Sequence, residues 1–210
     1  MKNIKFNGRL ITSPIFLREI KALENIYSDK KQRFDSSIVI ASGKRCKFNH
    51  VQVIVCSPIS LSSRLRLRPF PTTFWLTCPY LTKLAGKIES QGGVSQLEEY
   101  IKSNGLIHDW TKYNLLHQTI RAGLLDKTLR NFLMRNKPGL FRNLMRGGMG
   151  GIKYKAGEVN AKCLHLQTAS FLALNYHPGS DWLKAKSLFG SCENNLCEAN
   201  LCSACSKSLS

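Results

Sequence analysis

The chain has 210 residues, of which 43% are hydrophobic, and this is enough to bury the core of a single domain. No apolar stretch is long enough for a membrane-spanning helix, so none is expected. The 31 Lys and Arg residues outnumber the 13 Asp and Glu residues and give a net charge of +18. So many positive side chains repel one another unless anions neutralise them. The net charge therefore favours a polyanionic partner such as RNA.

The first half of the chain is predicted to contain a short helix and several strands. Apolar residues recur at helical spacing over residues 15–27, which predicts the helix. Runs of β-branched residues at 37–41 and 51–56 predict two paired strands joined by the loop between them. A further apolar run at residues 72–77 predicts another buried strand.

Basic residues are concentrated in two stretches that contain no acidic residue. Eight Lys and Arg residues lie in residues 36–88, and eight more lie in residues 127–157. Arg and Leu alternate over residues 64–68, so a strand there would place its three arginines on one face. These charges predict a surface for RNA or another polyanion, and a basic solvated surface without a partner is the alternative. The candidate binding residues are Arg64, Arg66, Arg68, Arg142, Arg146, Lys153 and Lys155.

The second half of the chain is predicted to be helical. Gly92 and Gly93 separate two short helices, and Asp109 is the predicted N-cap of the next one. Pro138 is expected to end that helical region. Residues 161–174 are apolar nearly all round and predict a buried helix, and residues 182–189 predict a last short helix.

Strands first and helices afterwards predict an α+β fold, with a small, mostly antiparallel N-terminal sheet packed by a helical C-terminal half. We expect one domain over residues 1–190 and a cysteine-rich tail over residues 191–210. The N-terminus lacks the apolar segment of a secretion signal, so we expect a cytoplasmic protein with reduced thiols. His117 shares a helix face with apolar residues and is expected in the core or at its boundary.

Several cysteines lie within distinctive motifs. These are RCKF at residues 45–48, PFPTTFWLTCPYL at residues 69–81, GMGGI at residues 148–152 and KCLH at residues 162–165. In this order they resemble a bacterial family called domain of unknown function 501, over roughly residues 40–180. The chain departs from the family after Cys46, where the family has Pro and Gly, and at Gln167 and Ser170, where the family often has histidines. The resemblance implies kinship and no particular reaction.

Four residues of these motifs are candidate metal ligands or catalytic groups. Cys46, Cys78, Cys163 and His165 together would match a tetrahedral zinc site, and the three thiolates alone can hold an iron–sulfur cluster. In a regular helix Cys163 and His165 point about 200° apart, so both reach one ion only where the backbone is irregular. A thiolate at Cys163 or Cys78, with His165 as its proton partner, would be catalytic. Buried inert cysteines and a core histidine are the alternative.

The tail carries a second candidate metal site. Its ligands are Cys192, Cys197, Cys202 and Cys205, of which the last two have a C-x₂-C spacing that can wrap a zinc ion. A frayed terminal peptide that is rich in cysteine is the alternative.

The sequence therefore leaves three kinds of function open. The first is a basic module, containing a metal or thiols, that binds RNA or another polyanion. The second is an enzyme built around Cys163 or Cys78 with His165. The third is a structural or assembly protein whose cysteines are core residues.

Overall fold

The computed structural model describes residues 5–6, 9–28, 34–61, 66–152 and 155–193. In the first half lie helix α1 (Leu17–Ser28) and strands β1 (Lys5–Phe6), β2 (Arg9–Leu10), β3 (Val39–Arg45), β4 (Val51–Cys56), β5 (Ile59–Leu61), β6 (Leu67–Pro69) and β7 (Phe74–Leu76). Helices α2 (Pro79–Ser90), α3 (Gly93–Ser103), α4 (Ile107–Leu124), α5 (Lys127–Asn136), α6 (Pro138–Arg146), α7 (Leu164–Leu174) and α8 (Ser180–Ala185) follow. All the described strand pairs are antiparallel. The predicted α+β fold is confirmed.

The central sheet has the strand order β3-β4-β7 and separates two hydrophobic clusters. Val53 and Val55 of β4 belong to the main core, whereas Ile54 and Cys56 belong to a smaller cluster that includes Leu23 of α1. Side chains alternate between the faces of a strand, so one continuous apolar run can supply both clusters. Helix α7 packs against β3, β4 and β7 as part of the main core. The predicted pairing of the strands at 37–41 and 51–56 is confirmed as β3 with β4.

Two helix boundaries differ from the prediction. Asp109 is not an N-cap, because α4 already begins at Ile107 and Asp109 lies in its first turn. Pro138 does not end the helical region either, since it is the first residue of α6. A proline fits there because the first N–H groups of a helix have no partner within it. The helix before it is separately capped by Asp126, whose carboxylate accepts a hydrogen bond from the N–H of Leu129 at 2.7 Å.

The last two helices are shorter than predicted. The buried helix begins at Leu164 and not at Ala161, because Lys162 has a φ of +61° and Cys163 is extended. The final helix ends at Ala185 and not at Phe189. The left-handed residue before α7 leaves Cys163 with an extended backbone, outside the helical geometry.

A buried guanidinium joins two of the sequence motifs. Arg121 of α4 donates hydrogen bonds to the carbonyl oxygens of Pro71, Leu144, Gly147 and Gly148, the first three at 3.3, 2.8 and 2.7 Å. The side chain of Asn114 accepts a hydrogen bond from the N–H of Met149 at 2.9 Å. The PFPTT and GMGGI motifs are therefore held together through α4.

Gly151 is required where these two motifs touch. Its φ is +75°, and a Cβ atom built on it would lie 2.3 Å from the Cβ of Pro71. We expect Gly151→Ala to lower the free energy of unfolding by about 2 kcal/mol, through left-handed strain and steric overlap. Urea denaturation measures this loss. Gly139→Ala is the matched control, because a Cβ there meets no atom within 4 Å and the residue lies inside a helix. Equal effects of the two substitutions would contradict the explanation.

Candidate functional site

The structure brings Cys163 and His165 together with a third residue, Glu89. One ligand atom from each of these residues lies within 4.8 Å of the other two. Glu89 lies in the last turn of α2, Cys163 is the N-cap of α7, and His165 lies in its first turn. Among the residues that the structure describes, this is the one group of three or more that has ligand atoms this close.

The irregular backbone before α7 allows the two motif residues to face the same group. Cys163 has φ −156° and ψ 152°, so it is extended and does not follow the helical rotation that would turn it away from His165. The preceding Lys162 has a left-handed φ of +61°, which sets the direction of the turn. Both residues can reach one ion only through such an irregular segment.

Glu89 also caps α7 from a distance. Its Oε1 accepts hydrogen bonds from the N–H groups of Leu164 and His165, the second at 3.3 Å. The same oxygen lies 3.0 Å from Nδ1 of His165, and Nε2 of that ring lies 3.0 Å from the carbonyl oxygen of Thr82. The carboxylate therefore satisfies the first N–H groups of a helix that has no side-chain cap of its own.

The surroundings of Cys163 disfavour its thiolate. Burial is the main cause that raises the pKa of the Cys163 thiol, and the negative charge of Glu89 raises it further. The backbone of Leu166 and the charge of Lys162 lower the pKa but do not compensate. An activated cysteine nucleophile needs a lowered pKa, so the group as it stands lacks this feature of a thiolate enzyme.

Cys78 and Cys46 do not belong to this group. Cys78 is the N-cap of α2, whereas Glu89 lies near the other end of that helix, so roughly 16 Å of helix axis separates them. Burial raises the pKa of Cys78 to about 11, and the neighbouring Cys192 contributes to the rise. Cys46 is half-buried in the turn between β3 and β4. The structure therefore separates the four candidate ligands and keeps only Cys163 and His165 in one group.

Of the candidate site in the tail, only Cys192 lies within the described residues. It is buried beside Cys78. The preceding segment is attached to the sheet, because Gln52 Nε2 donates to the carbonyl of Gly190 at 2.6 Å and the N–H of Lys47 donates to Ser191 Oγ at 3.0 Å. Cys197, Cys202 and Cys205 lie outside the described residues.

Four of the candidate polyanion-binding residues, Arg66, Arg68, Arg142 and Arg146, belong to segments that pack in a third hydrophobic cluster. Its core is Ile59, Leu125, Leu133 and Leu144, with Leu67, Leu129, Leu140, Phe141 and Met145 packed against it. These residues come from β5, β6, α5, α6 and the end of α4, and we call this part of the protein the basic lobe. Apart from the cap Asp126, its described elements contain no acidic residue.

The arginines of the basic lobe point to its surface. Arg66 and Arg68 at β6 and Arg142 and Arg146 on α6 are exposed. Lys155 is exposed and forms an ion pair with Glu158 at 3.2 Å, while Arg64 and Lys153 lie outside the described residues. Helix α5 and the residue after it carry further basic side chains that the sequence did not single out as RNA-binding candidates. They belong to the second acid-free stretch and are Lys127, Arg130, Arg135 and Lys137.

Glu89 is the member of this candidate group that the sequence did not predict. It is the first acidic residue after an acid-free stretch, which was the only local signal. Its hydrogen bond to Leu164 spans 75 residues, and no rule of local spacing pairs residues so far apart. Only the packing of α2 on α7 creates the group.

Within the described residues, no helix has both the length and the apolar character that a membrane span requires.

Comparison with known proteins identifies the family. No curated protein and no solved structure matches the chain. Residues 42–185 match the family described as protein of unknown function, DUF501. The matched range covers well over half of the chain and includes Glu89, Cys163, His165 and most of the basic lobe. The protein therefore belongs to the DUF501 family, as its PFPTTFWLTCPYL, GMGGI and KCLH motifs predict.

Proposed function

We propose that this is a cytoplasmic RNA-binding protein that holds the RNA backbone on its basic lobe. The observation that carries the proposal is the convergence of two acid-free segments, distant in sequence, on one hydrophobic cluster. Bases at β6 and on α5 and α6 thereby share one part of the molecule. Like charges repel one another, so concentrating them favours a surface that a polyanion neutralises.

The arginines on this surface are available to phosphates. Arg68, Arg142 and Arg146 take part in none of the ion pairs found among the described residues. Arginine binds phosphate with two parallel N–H groups, which favours it over lysine for this purpose. Phe132 on α5 is 44% exposed and lies three residues before Arg135 on the same helix, and an exposed aromatic ring near a base can stack on an unpaired nucleotide. This combination supports single-stranded RNA as the ligand.

The other two functions have less support. A thiolate enzyme would need a lowered pKa at Cys163 or Cys78, and burial raises both pKa values. A purely structural role gives no reason for the exposed bases of the lobe.

Charge reversal on α6 tests the proposal. We expect Arg142→Glu with Arg146→Glu to weaken binding of a fluorescein-labelled single-stranded RNA at least about 10-fold at moderate salt, because two phosphate contacts become repulsive. The slope of log affinity against log salt should also flatten by about 1.4, since each lost contact on a single strand contributes about 0.7. Fluorescence anisotropy over a range of salt concentrations measures both quantities.

The matched control is Lys87→Glu with Lys102→Glu, which changes the net charge equally on α2 and α3. It should weaken binding far less. Equal losses in the two double variants would show that only net charge matters and would contradict a site on the basic lobe. Binding to anionic lipid vesicles with no binding to RNA at low salt would also overturn the proposal.

A further inference from the structure

We propose that Glu89, Cys163 and His165 bind one zinc ion, with a fourth coordination position left open to solvent. Their ligand atoms already lie within 4.8 Å of one another. A carboxylate oxygen, a thiolate sulfur and an imidazole nitrogen are all ligands that zinc takes in proteins. Three protein ligands with one open position is the arrangement of zinc sites that act on a bound molecule.

The hydrogen bonds of His165 favour a cation at this place. The carbonyl oxygen of Thr82 can only accept, so Nε2 of the ring carries a hydrogen and donates it at 3.0 Å. In the neutral ring Nδ1 then presents its lone pair to the Glu89 oxygen 3.0 Å away. Two acceptors at this distance repel each other unless a proton or a metal ion lies between them.

The contact with Thr82 is also the one that a metal-binding histidine usually makes. Such a histidine donates its second ring N–H to a carbonyl or carboxylate, which orients the ring and selects the nitrogen that binds the metal. Here that arrangement leaves Nδ1 on the side of Glu89 and Cys163. The Glu89 oxygen that faces Nδ1 is Oε1, the same atom that caps α7.

The charges of the three ligands balance that of a zinc ion. One carboxylate, one thiolate and one neutral imidazole around Zn²⁺ form a neutral unit, which suits a half-buried position. Zinc displaces the proton of the Cys163 thiol and any proton held between Glu89 and His165, and both protons go to solvent.

The position is open enough for a fourth ligand. The side chains of His165 and Glu89 are 34% and 25% exposed. Gly86 lies one turn before Glu89, and a Cβ there would be 3.9 Å from Cε1 of His165, so the imidazole has no bulky neighbour on this side. A water molecule or a small anion can therefore reach the ion.

Cobalt substitution tests the proposal in the full chain. The experiment uses a background in which Cys197, Cys202 and Cys205 are replaced by Ser, so that the tail contributes no signal. Addition of Co²⁺ should produce a thiolate-to-cobalt charge-transfer band that saturates at one ion per chain and disappears when Zn²⁺ is added. Cys163→Ser should abolish the band, and Glu89→Gln or His165→Gln should weaken Co²⁺ binding at least about 10-fold.

Cys46→Ser and Cys78→Ser are the controls, and both should leave the band unchanged. Glu89→Gln retains an oxygen that can cap α7, and circular dichroism would show that each variant is folded. Absence of the band in the folded background protein, or its loss in Cys46→Ser or Cys78→Ser, would overturn the site. Because no RNA is present, failure of this test is distinguishable from failure of the proposed RNA binding.

Discussion

Arg121→Met should lower the free energy of unfolding by about 3–5 kcal/mol, the loss expected when a buried, hydrogen-bonded charge is removed. The guanidinium is fully buried and holds four carbonyl oxygens that belong to the loop before β7, the end of α6 and the GMGGI segment. Methionine has a similar length but no donor, so these carbonyls would remain buried without a partner. Burial lowers the pKa of Arg121 to about 10, which leaves it charged at neutral pH.

Urea denaturation at neutral pH measures the effect. Arg142→Met on exposed α6 is the matched control and should change stability by less than about 0.5 kcal/mol. Arg121→Lys should give an intermediate loss, because one ammonium group keeps the charge but cannot reach all four oxygens. A change below about 1 kcal/mol in Arg121→Met would contradict the role of this side chain as the connection between the motifs.

Lowering the pH from 7 to 5 should cost about 2 kcal/mol of stability for each of two buried histidines, or about 4 kcal/mol in all. Burial is the main cause that lowers the pKa of both His117 and His177 from 6.5 to about 3. The unfolded chain therefore binds more protons than the folded one between these two values. Stability is complete above pH 6.5 and falls as the pH drops through this window.

The contacts of the two rings explain why they stay neutral. His177 Nε2 donates to Gln167 Oε1 at 2.8 Å, and Nδ1 accepts the N–H of Gly179 at 2.9 Å, so no lone pair is left for a proton. The His117 ring packs edge-on against Phe74 and Tyr113, and its Nε2 is buried without a hydrogen-bond partner. The positive charge of Arg121 further disfavours protonation of His117.

His117→Leu isolates one of the two contributions. Leucine has a similar volume and cannot take up a proton, so the loss between pH 7 and 5 should fall by about half, to about 2 kcal/mol. Urea denaturation of both proteins at the two pH values provides the comparison. Equal stability of the unsubstituted protein at pH 7 and 5 would show that the histidines are not held neutral in the folded state.

The sequence was sufficient where the structure depends on neighbouring residues. The β-branched run at residues 51–56 predicts strand β4, and the nearly all-apolar residues 161–174 predict the buried helix α7 that packs on it. The position of His117 within an apolar helix face correctly predicted its burial. The PFPTTFWLTCPYL motif identified the family. Each of these patterns is formed by residues that are close together in the sequence, so it can be interpreted without knowledge of the fold.

Local signals were ambiguous at Asp109 and Pro138. Aspartate is favourable both as an N-cap and anywhere in the first helical turn, so its position alone does not give the first residue of α4. Proline breaks a helix that precedes it and equally begins one that follows it, and the chain uses the second property at α6.

The chemistry of the candidate sites was decided only by tertiary structure. The family motifs contain Cys78 as well as Cys163 and His165. Cys78 lies at the N-terminal end of α2, whereas the C-terminal end of that helix places Glu89 beside Cys163 and His165. Likewise, the two acid-free stretches become one basic lobe only because β6 and α6 share a hydrophobic cluster. The sequence by itself determined most of the element types, the family and the total charge, since these depend on residue identity and short spacing. Which side chains meet depends on how whole helices and strands bury their apolar faces, and that is a property of the folded chain.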